Sequence, residues 1–260
     1  MVSFTNTDDL RGATFTDVDL RGARFAGADL SGAVLRGVAV ADVEIDSPWL
    51  FDGDHFLRVN GVDVRPFVDA ALNRRFPGRE QRGAETPEGL RAAWEVLQRT
   101  WEATLDRAAR LPAGAVDESI GGEWSFAQTL RHLVMATDTW LGRAIQRTEQ
   151  PYHPVGLPND DDGGGTAAYE NTSVFSNTSP SYAEVLEARA GRVAMVGEFL
   201  ATVTARNLAE QRSNPHAPQY GETVLSCLHT ILDEEWEHHR YAVRDLDALE
   251  AATGSASGLK

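Results

Sequence analysis

Over the first 47 residues large apolar side chains return at every fifth position: Leu10, Phe15, Leu20, Phe25, Leu30, Leu35, Val40 and Ile45. Small or compact residues keep step two places earlier, as Ala13, Val18, Ala23, Ala28, Ala33, Val38 and Val43. A period of five fits neither the 3.6-residue turn of a helix nor the two-residue alternation of a strand. The segment therefore has to be a repeat architecture in which successive units stack.

The pattern, over residues 8 to 47, resembles the pentapeptide-repeat family. The resemblance implies a short right-handed quadrilateral β-helix with four pentapeptides per coil and the central large residue and its small companion pointing inward. Eight repeats then make two coils, stacking Leu10 on Leu30, Phe15 on Leu35, Leu20 on Val40 and Phe25 on Ile45. Some members of that family are acidic rods that mimic DNA. Two coils at the strand spacing make a stub only about 10 Å tall, which favours a capping, docking or dimerising role instead.

Composition narrows the partners. The chain has 260 residues, is 42% hydrophobic and carries a net charge of −15, so it is globular and poorly suited to nucleic acid or an anionic membrane. No apolar run approaches the roughly 20 residues of a membrane helix, and the N-terminus has no signal pattern, so a cytoplasmic protein is expected. The single cysteine, Cys227, excludes an internal disulfide and reads as a buried, inert thiol.

Four parts are expected: the β-helix over 1–50, a connector over 51–84, a helical bundle over 85–252 and a flexible tail over 253–260. In the connector, Asn60-Gly61 predicts a hairpin turn and Pro66 opens a short helix that Pro77-Gly78 ends. The stretch GREQRGAETPEG reads as a linker. Four helical patterns follow. The first starts at Thr86-Pro87 and presents Leu90, Trp94, Leu97, Trp101 and Leu105 on one face. The second opens with Ser125 and Gln128, a capping-box pair, and runs to about Gln146. The third begins near Ser179-Pro180, and the fourth spans about Thr223 to Ala251. More than 30 residues, with Asp160 to Asp162 and Gly163 to Gly165 at their centre, join the second to the third, as in a crossover bundle with a solvated acidic loop.

The last helix carries the chemistry. In EEWEHHRYAVRDLDALE, Glu235 and His239 stand four residues apart on the face made by Leu228, Leu232, Ala242, Leu246 and Leu249. An isolated buried carboxylate costs several kcal/mol or more, so the pair asks for a cation, a metal or a hydrogen-bond network. A third ligand has to come from another helix. His132 is the candidate, on a polar strip with Ser125, Gln128 and Thr139 beside an apolar face. An arginine such as Arg131 or Arg240 closing Glu235, with His132 as an ordinary core histidine, is the competing account. His238, about 100° round the helix from His239, is expected at solvent or a subunit boundary, and His229 is read as structural. Arg240 and Arg244 have the fork that matches a substrate carboxylate. Tyr152 and His153, in the crossover, are candidates to reach the site and touch a cofactor.

The WSFAQTLRHL helix start with its histidine, the long crossover and the last-helix histidine followed by Arg240 resemble the DinB-like metal-dependent four-helix bundles over about residues 86 to 250. Many members carry histidine where this chain has Glu235. The Glu-x-x-x-His arrangement is similar to the mycothiol-dependent maleylpyruvate isomerase branch, whose zinc is held by His, Glu and His. The resemblance implies a divalent metal at His132, Glu235 and His239, zinc first with nickel or iron admissible, and a mycothiol-type thiol that attacks a small electrophile. An N, O, N ligand set with a vacancy is the donor set of a catalytic zinc. The rival readings are a non-catalytic assembly protein, as a homodimer for instance, and a metal-dependent hydrolase.

Overall fold

The computed structural model describes residues 3–5, 7–158 and 172–257, which fall into two units, Met1–Glu44 and Ile45–Lys260. In the first unit the five-residue period is expressed as turns. The N–H groups of Ala13, Ala23 and Ala33 donate to the carbonyls of Leu10, Leu20 and Leu30 at 3.0, 3.0 and 2.9 Å. Gly12, Gly22 and Gly32 supply the positive φ that these turns need (73°, 76° and 75°). Positive φ recurs at every fifth residue, at Gly12, Asp17, Gly22, Gly27, Gly32, Gly37 and Asp42, and Asp9 and Asp19 grip Arg11 and Arg21.

The structure does not show the expected stacked β-helix over these residues. Among the described residues of this unit there is no strand, and no backbone bond joins positions twenty apart. The central side chains are exposed, from 43% at Leu10 to 69% at Leu35, rather than enclosed.

In the second unit, β1 (Arg58–Val59) and β2 (Val62–Asp63) pair antiparallel across Asn60 and Gly61, both at positive φ. Helix α1 (Arg65–Arg75) follows with Pro66 in its first turn. The polar stretch expected as a linker is instead packed. Gly78 turns the chain at φ 98°, where a Cβ would meet Val96 Cγ1 at 2.1 Å. In the 3₁₀ turn Arg79–Gly83, Arg79 is 2% exposed and donates to Asp69 at 2.7 Å and Asn73 at 2.8 Å. Acceptors supplied by α1 make that guanidinium buriable.

The bundle consists of α2 (Pro87–Ala108), α3 (Phe126–Thr137), α4 (Tyr182–Thr202) and, after the short α5 (Ala205–Leu208), α6 (Val224–Ser257). Thr86 caps α2, and complete capping boxes start α3 (Ser125 with Gln128) and α4 (Ser181 with Glu184). Helix α3 packs on α4 and α6, and α2 packs on the same two. Around the ring the order is therefore α2, α6, α3, α4, with α4 and α6 on one diagonal. A hairpin, β3 (Gln211–Ser213) with β4 (Gly221–Thr223), links α5 to α6. Helix α6 continues past the expected end at Ala251 as far as Ser257, so the tail expected from 253 starts as helix.

The second helical pattern is one rod with two windings. After α3 the chain widens into a π-helix over Asp138–Ile145. Asp138 is fully buried there, held by Arg192 of α4 (Nε to Oδ1 2.8 Å, Nη2 to Oδ2 3.0 Å) and by the His153 N–H (2.8 Å). A π-turn at a buried, doubly anchored acid fits the tendency of such bulges to mark specialised positions. Arg131 fastens the returning crossover, donating to the carbonyls of Val155, Asn177 and Thr178. The acidic loop expected at Asp160 to Asp162 and Gly163 to Gly165 lies outside the described residues. Cys227 is fully buried, and burial pushes its thiol up to about 12, so it is inert as expected. Among the described residues no helix is long and apolar enough to cross a membrane.

Candidate metal centre

The seam between α3 and α6 brings His132 against Glu234 and His238. His132 Nε2 is 3.5 Å from Glu234 Oε2, His238 Nδ1 is 3.3 Å from the same oxygen, and one ligand atom from each residue lies within 4.8 Å of the others. The two imidazole rings are nearly parallel, with centroids 4.6 Å apart. This is the one group of three or more His, Cys, Asp or Glu side chains among the described residues that could hold a metal ion.

Backbone carbonyls fix both imidazoles. His132 Nδ1 meets the Leu157 carbonyl at 3.1 Å, and His238 Nδ1 meets the Glu234 carbonyl one turn back at 2.8 Å. A ring that donates its Nδ1 proton to a carbonyl presents Nε2 as a lone pair, the usual way an outer partner prepares a histidine ligand. Burial, followed by the neighbouring His132 charge, pushes His238 down to about 4, so it is neutral at pH 7. Burial alone would raise the Glu234 carboxyl, but the two imidazoles beside it, His132 first, hold it below the usual range. A neutral imidazole and an ionised carboxylate are the protonation states that metal binding requires.

The seam is reached from outside. The Glu234 side chain is 31% exposed, whereas that of Glu235 is 1% exposed. Trp124, immediately before the α3 cap, walls the site, its ring centroid 4.8 Å from His132 and 6.4 Å from His238. Tyr241 meets His238 edge-on at 6.0 Å. His216, between β3 and β4, packs on Trp140 at 5.7 Å.

Glu235 and His239 lie elsewhere. Glu235 points along the ring's diagonal to α4, where Arg189 Nη2 donates to both oxygens at 2.6 and 2.5 Å. His239 faces α2. The Thr104 hydroxyl donates to the Thr100 carbonyl and so accepts from His239 Nε2 at 2.8 Å, while Phe76, Trp101 and Trp236 surround the ring edge-on. Its Nε2 is thus spent on Thr104. The arginine that closes Glu235 is Arg189, neither Arg131 nor Arg240. The side chains that converge with His132 are thus Glu234 and His238, one residue earlier on α6 than the expected Glu235 and His239, which lie in the core. The reason is geometric: positions on the centre line of the apolar face point at other helices, and a group that solvent can reach must sit beside that line.

Arg240 is paired with Asp46 and Glu237, and Arg244 with Glu123 and Asp245. Tyr152 is buried against Phe175 and Met135, and His153 turns its Nδ1 to the Val155 N–H, so both anchor the crossover. His229 is structural, meeting the Ala84 carbonyl at 2.9 Å. Glu234 and Trp124 were missed in the sequence, and His238, expected at solvent or a subunit boundary, lies at the cluster. The overlapping pairs Glu234/His238 and Glu235/His239 in EEWEHH were the available signal.

A helical bundle with a solvent-reached His, Glu, His set on one seam belongs to the class of bundles able to carry a metal. The family model described as the DinB superfamily matches residues 96–242, more than half of the chain, and includes all three cluster residues. The chain belongs to the DinB superfamily. Pentapeptide repeats match residues 9–38. No curated protein and no solved structure matches the chain.

Two outcomes follow from the core pair and its neighbour. Arg189→Met should cost about 3–5 kcal/mol in urea unfolding, because it strands the Glu235 charge, whereas the Arg189→Met/Glu235→Met double variant should recover most of that loss. His239 is pushed down to about 4 by burial, below its unfolded value of 6.5. The unfolded chain therefore takes up that proton first, and stability falls as pH drops from about 6.5 to about 4, by up to about 3 kcal/mol from this group. His239→Gln should remove that share of the slope, read from urea midpoints across the range.

Proposed function

We propose that this chain is a divalent-metal-dependent transferase of a small, mycothiol-type thiol to a small electrophile, with His132, Glu234 and His238 as the metal ligands. The observation that carries the reading is the convergence of those three side chains on a solvent-reached seam, each histidine oriented by a carbonyl. The superfamily often binds divalent metal. The donor set of two imidazoles and one carboxylate suits zinc, and also nickel or iron.

A bound cation would supply positive charge that favours a thiolate over a thiol at neutral pH. The protein's own groups supply the rest. Glu234 brings a negative ligand, His132 and His238 bring imidazole nitrogens, and Trp124 and Tyr241 form walls that limit water at the seam. The thiol and the electrophile are the partners in this reading, and it rests on the family resemblance for the choice of thiol.

Elemental analysis of tag-free protein checks it. Wild type should carry about one equivalent of a divalent metal, Glu234→Gln and His132→Ala should lose it, and Glu235→Gln should keep it. Turnover of an electrophile such as 1-chloro-2,4-dinitrobenzene should then depend on added thiol and fall at least a hundredfold in Glu234→Gln. Wild type that stays metal-free after reconstitution, or Glu235→Gln that loses metal while Glu234→Gln retains it, would sink the assignment.

A further inference from the structure

Arg240 and Tyr241 hold Asp46 as a receptor holds a small carboxylate. The two terminal nitrogens of Arg240 donate one to each oxygen, Nη1 to Oδ2 at 2.8 Å and Nη2 to Oδ1 at 2.7 Å, and the Tyr241 hydroxyl donates to Oδ1 at 3.2 Å. Paired, parallel N–H donors from one guanidinium are the strongest and most shape-selective way a protein holds a carboxylate. The guanidinium of Arg240 lies over the Tyr241 ring at 4.4 Å, with that of Arg244 at 5.2 Å, so the cradle is braced on an aromatic face. Glu237, at 3.0 Å from Arg240 Nε, aims the fork from behind.

Two features set this cradle apart from an ordinary rim ion pair. It adjoins the candidate metal centre, because Tyr241 also touches the His238 ring. Its occupant comes from a stretch that is fastened lightly. Residues 47–55 contain only turns, closed by bonds such as Leu50 N to Ser47 O and Asp52 N to Trp49 O. Besides Asp46, the stretch leans on the bundle through Phe51, which lies under Arg79 and Arg82, and Ser47, Pro48 and Leu50 are half-buried, while Trp49 is 71% exposed. Burial works against the Asp46 charge, yet the Arg240 hydrogen bonds and charge hold its carboxyl below the usual range, so it is ionised at neutral pH.

We propose that Arg240 and Tyr241 form a binding site for a small organic carboxylate beside the metal centre, and that Asp46 fills it as an internal ligand which an incoming carboxylate displaces. The cradle thereby adds a substrate class, electrophiles bearing a carboxylate, to the function proposed above, and it rests on that reading for the nature of its neighbour. Displacement turns the strap at 46–55 outward and opens the Trp124 and Tyr241 side of the seam. Occupation by Asp46 keeps the fork paired when no carboxylate is present.

Calorimetric titration of the full chain, as purified, with succinate tests this, with succinamide as the uncharged control. Asp46→Asn should bind succinate at least tenfold more tightly than wild type, Arg240→Gln should not bind it, and succinamide should bind to none of them. In wild type, succinate should also speed chymotryptic cleavage after Trp49 or Phe51 severalfold, a readout that stands if Asp46→Asn does not fold. Equal affinity in wild type and Asp46→Asn, cleavage indifferent to succinate, or binding that survives Arg240→Gln would each overturn the proposal. Succinate binding by Glu234→Gln isolates the cradle from the metal, so the two readings fail separately.

Discussion

A carboxylate on the axis of a helical bundle has to be neutralised before anything else can be arranged around it, and Arg189 does this for Glu235. The pair runs along the diagonal from α6 to α4. It sets the rotation of α6 about its own axis, since turning the helix by one residue would leave both charges stranded in a low-dielectric interior. The Thr104 hydrogen bond to His239 adds a second restraint toward α2. With those two directions fixed, the next residues round the helix, Glu234 and His238, face α3. The seam site is thus a by-product of how the core is locked.

Much of the architecture was legible because local chemistry and global packing agree. Ser125 with Gln128 marks the start of α3, Thr86 with Pro87 the start of α2, and Asn60-Gly61 the hairpin. The candidate site was legible as residue types on the right helices and not as a register. The chain offers two Glu and His pairs in EEWEHH, and periodicity identifies the more apolar one, which is the one the core consumes. Nothing in a single sequence says that Arg189, among 23 arginines, lies opposite Glu235, because that depends on a long-range pairing between two helices. The same limit applies to Arg79, where a polar stretch looks like solvent-facing linker until Asp69 and Asn73 are seen to meet it. In the repeat unit the period was plain, and the backbone expresses it as a positive φ at every fifth residue.

The arginines define how this bundle handles polarity. Arg79, Arg131 and Arg189 are buried, and Arg192 nearly so, each spending its fork on carboxylates or on backbone carbonyls. A guanidinium presents up to five donors in one plane, so one side chain can satisfy several acceptors where a segment returns to the bundle without secondary structure of its own. Arg131 does so for three carbonyls of the crossover, and Arg192 reaches the π-helix through Asp138.

His132 owes its orientation to Leu157, a residue 25 positions further along the chain, and Leu157 in turn donates its N–H to the Arg131 carbonyl. Two consecutive residues of α3 therefore grip one point of the crossover from both of its backbone groups. Occupancy of the seam and docking of that segment become a single equilibrium. By linkage, a ligand held at one hundred times its dissociation constant adds about 2.7 kcal/mol to whatever conformation binds it. Part of that energy would be stored as tighter closure of the crossover on the bundle, so the segment serves the site as a latch whose strength rises with saturation.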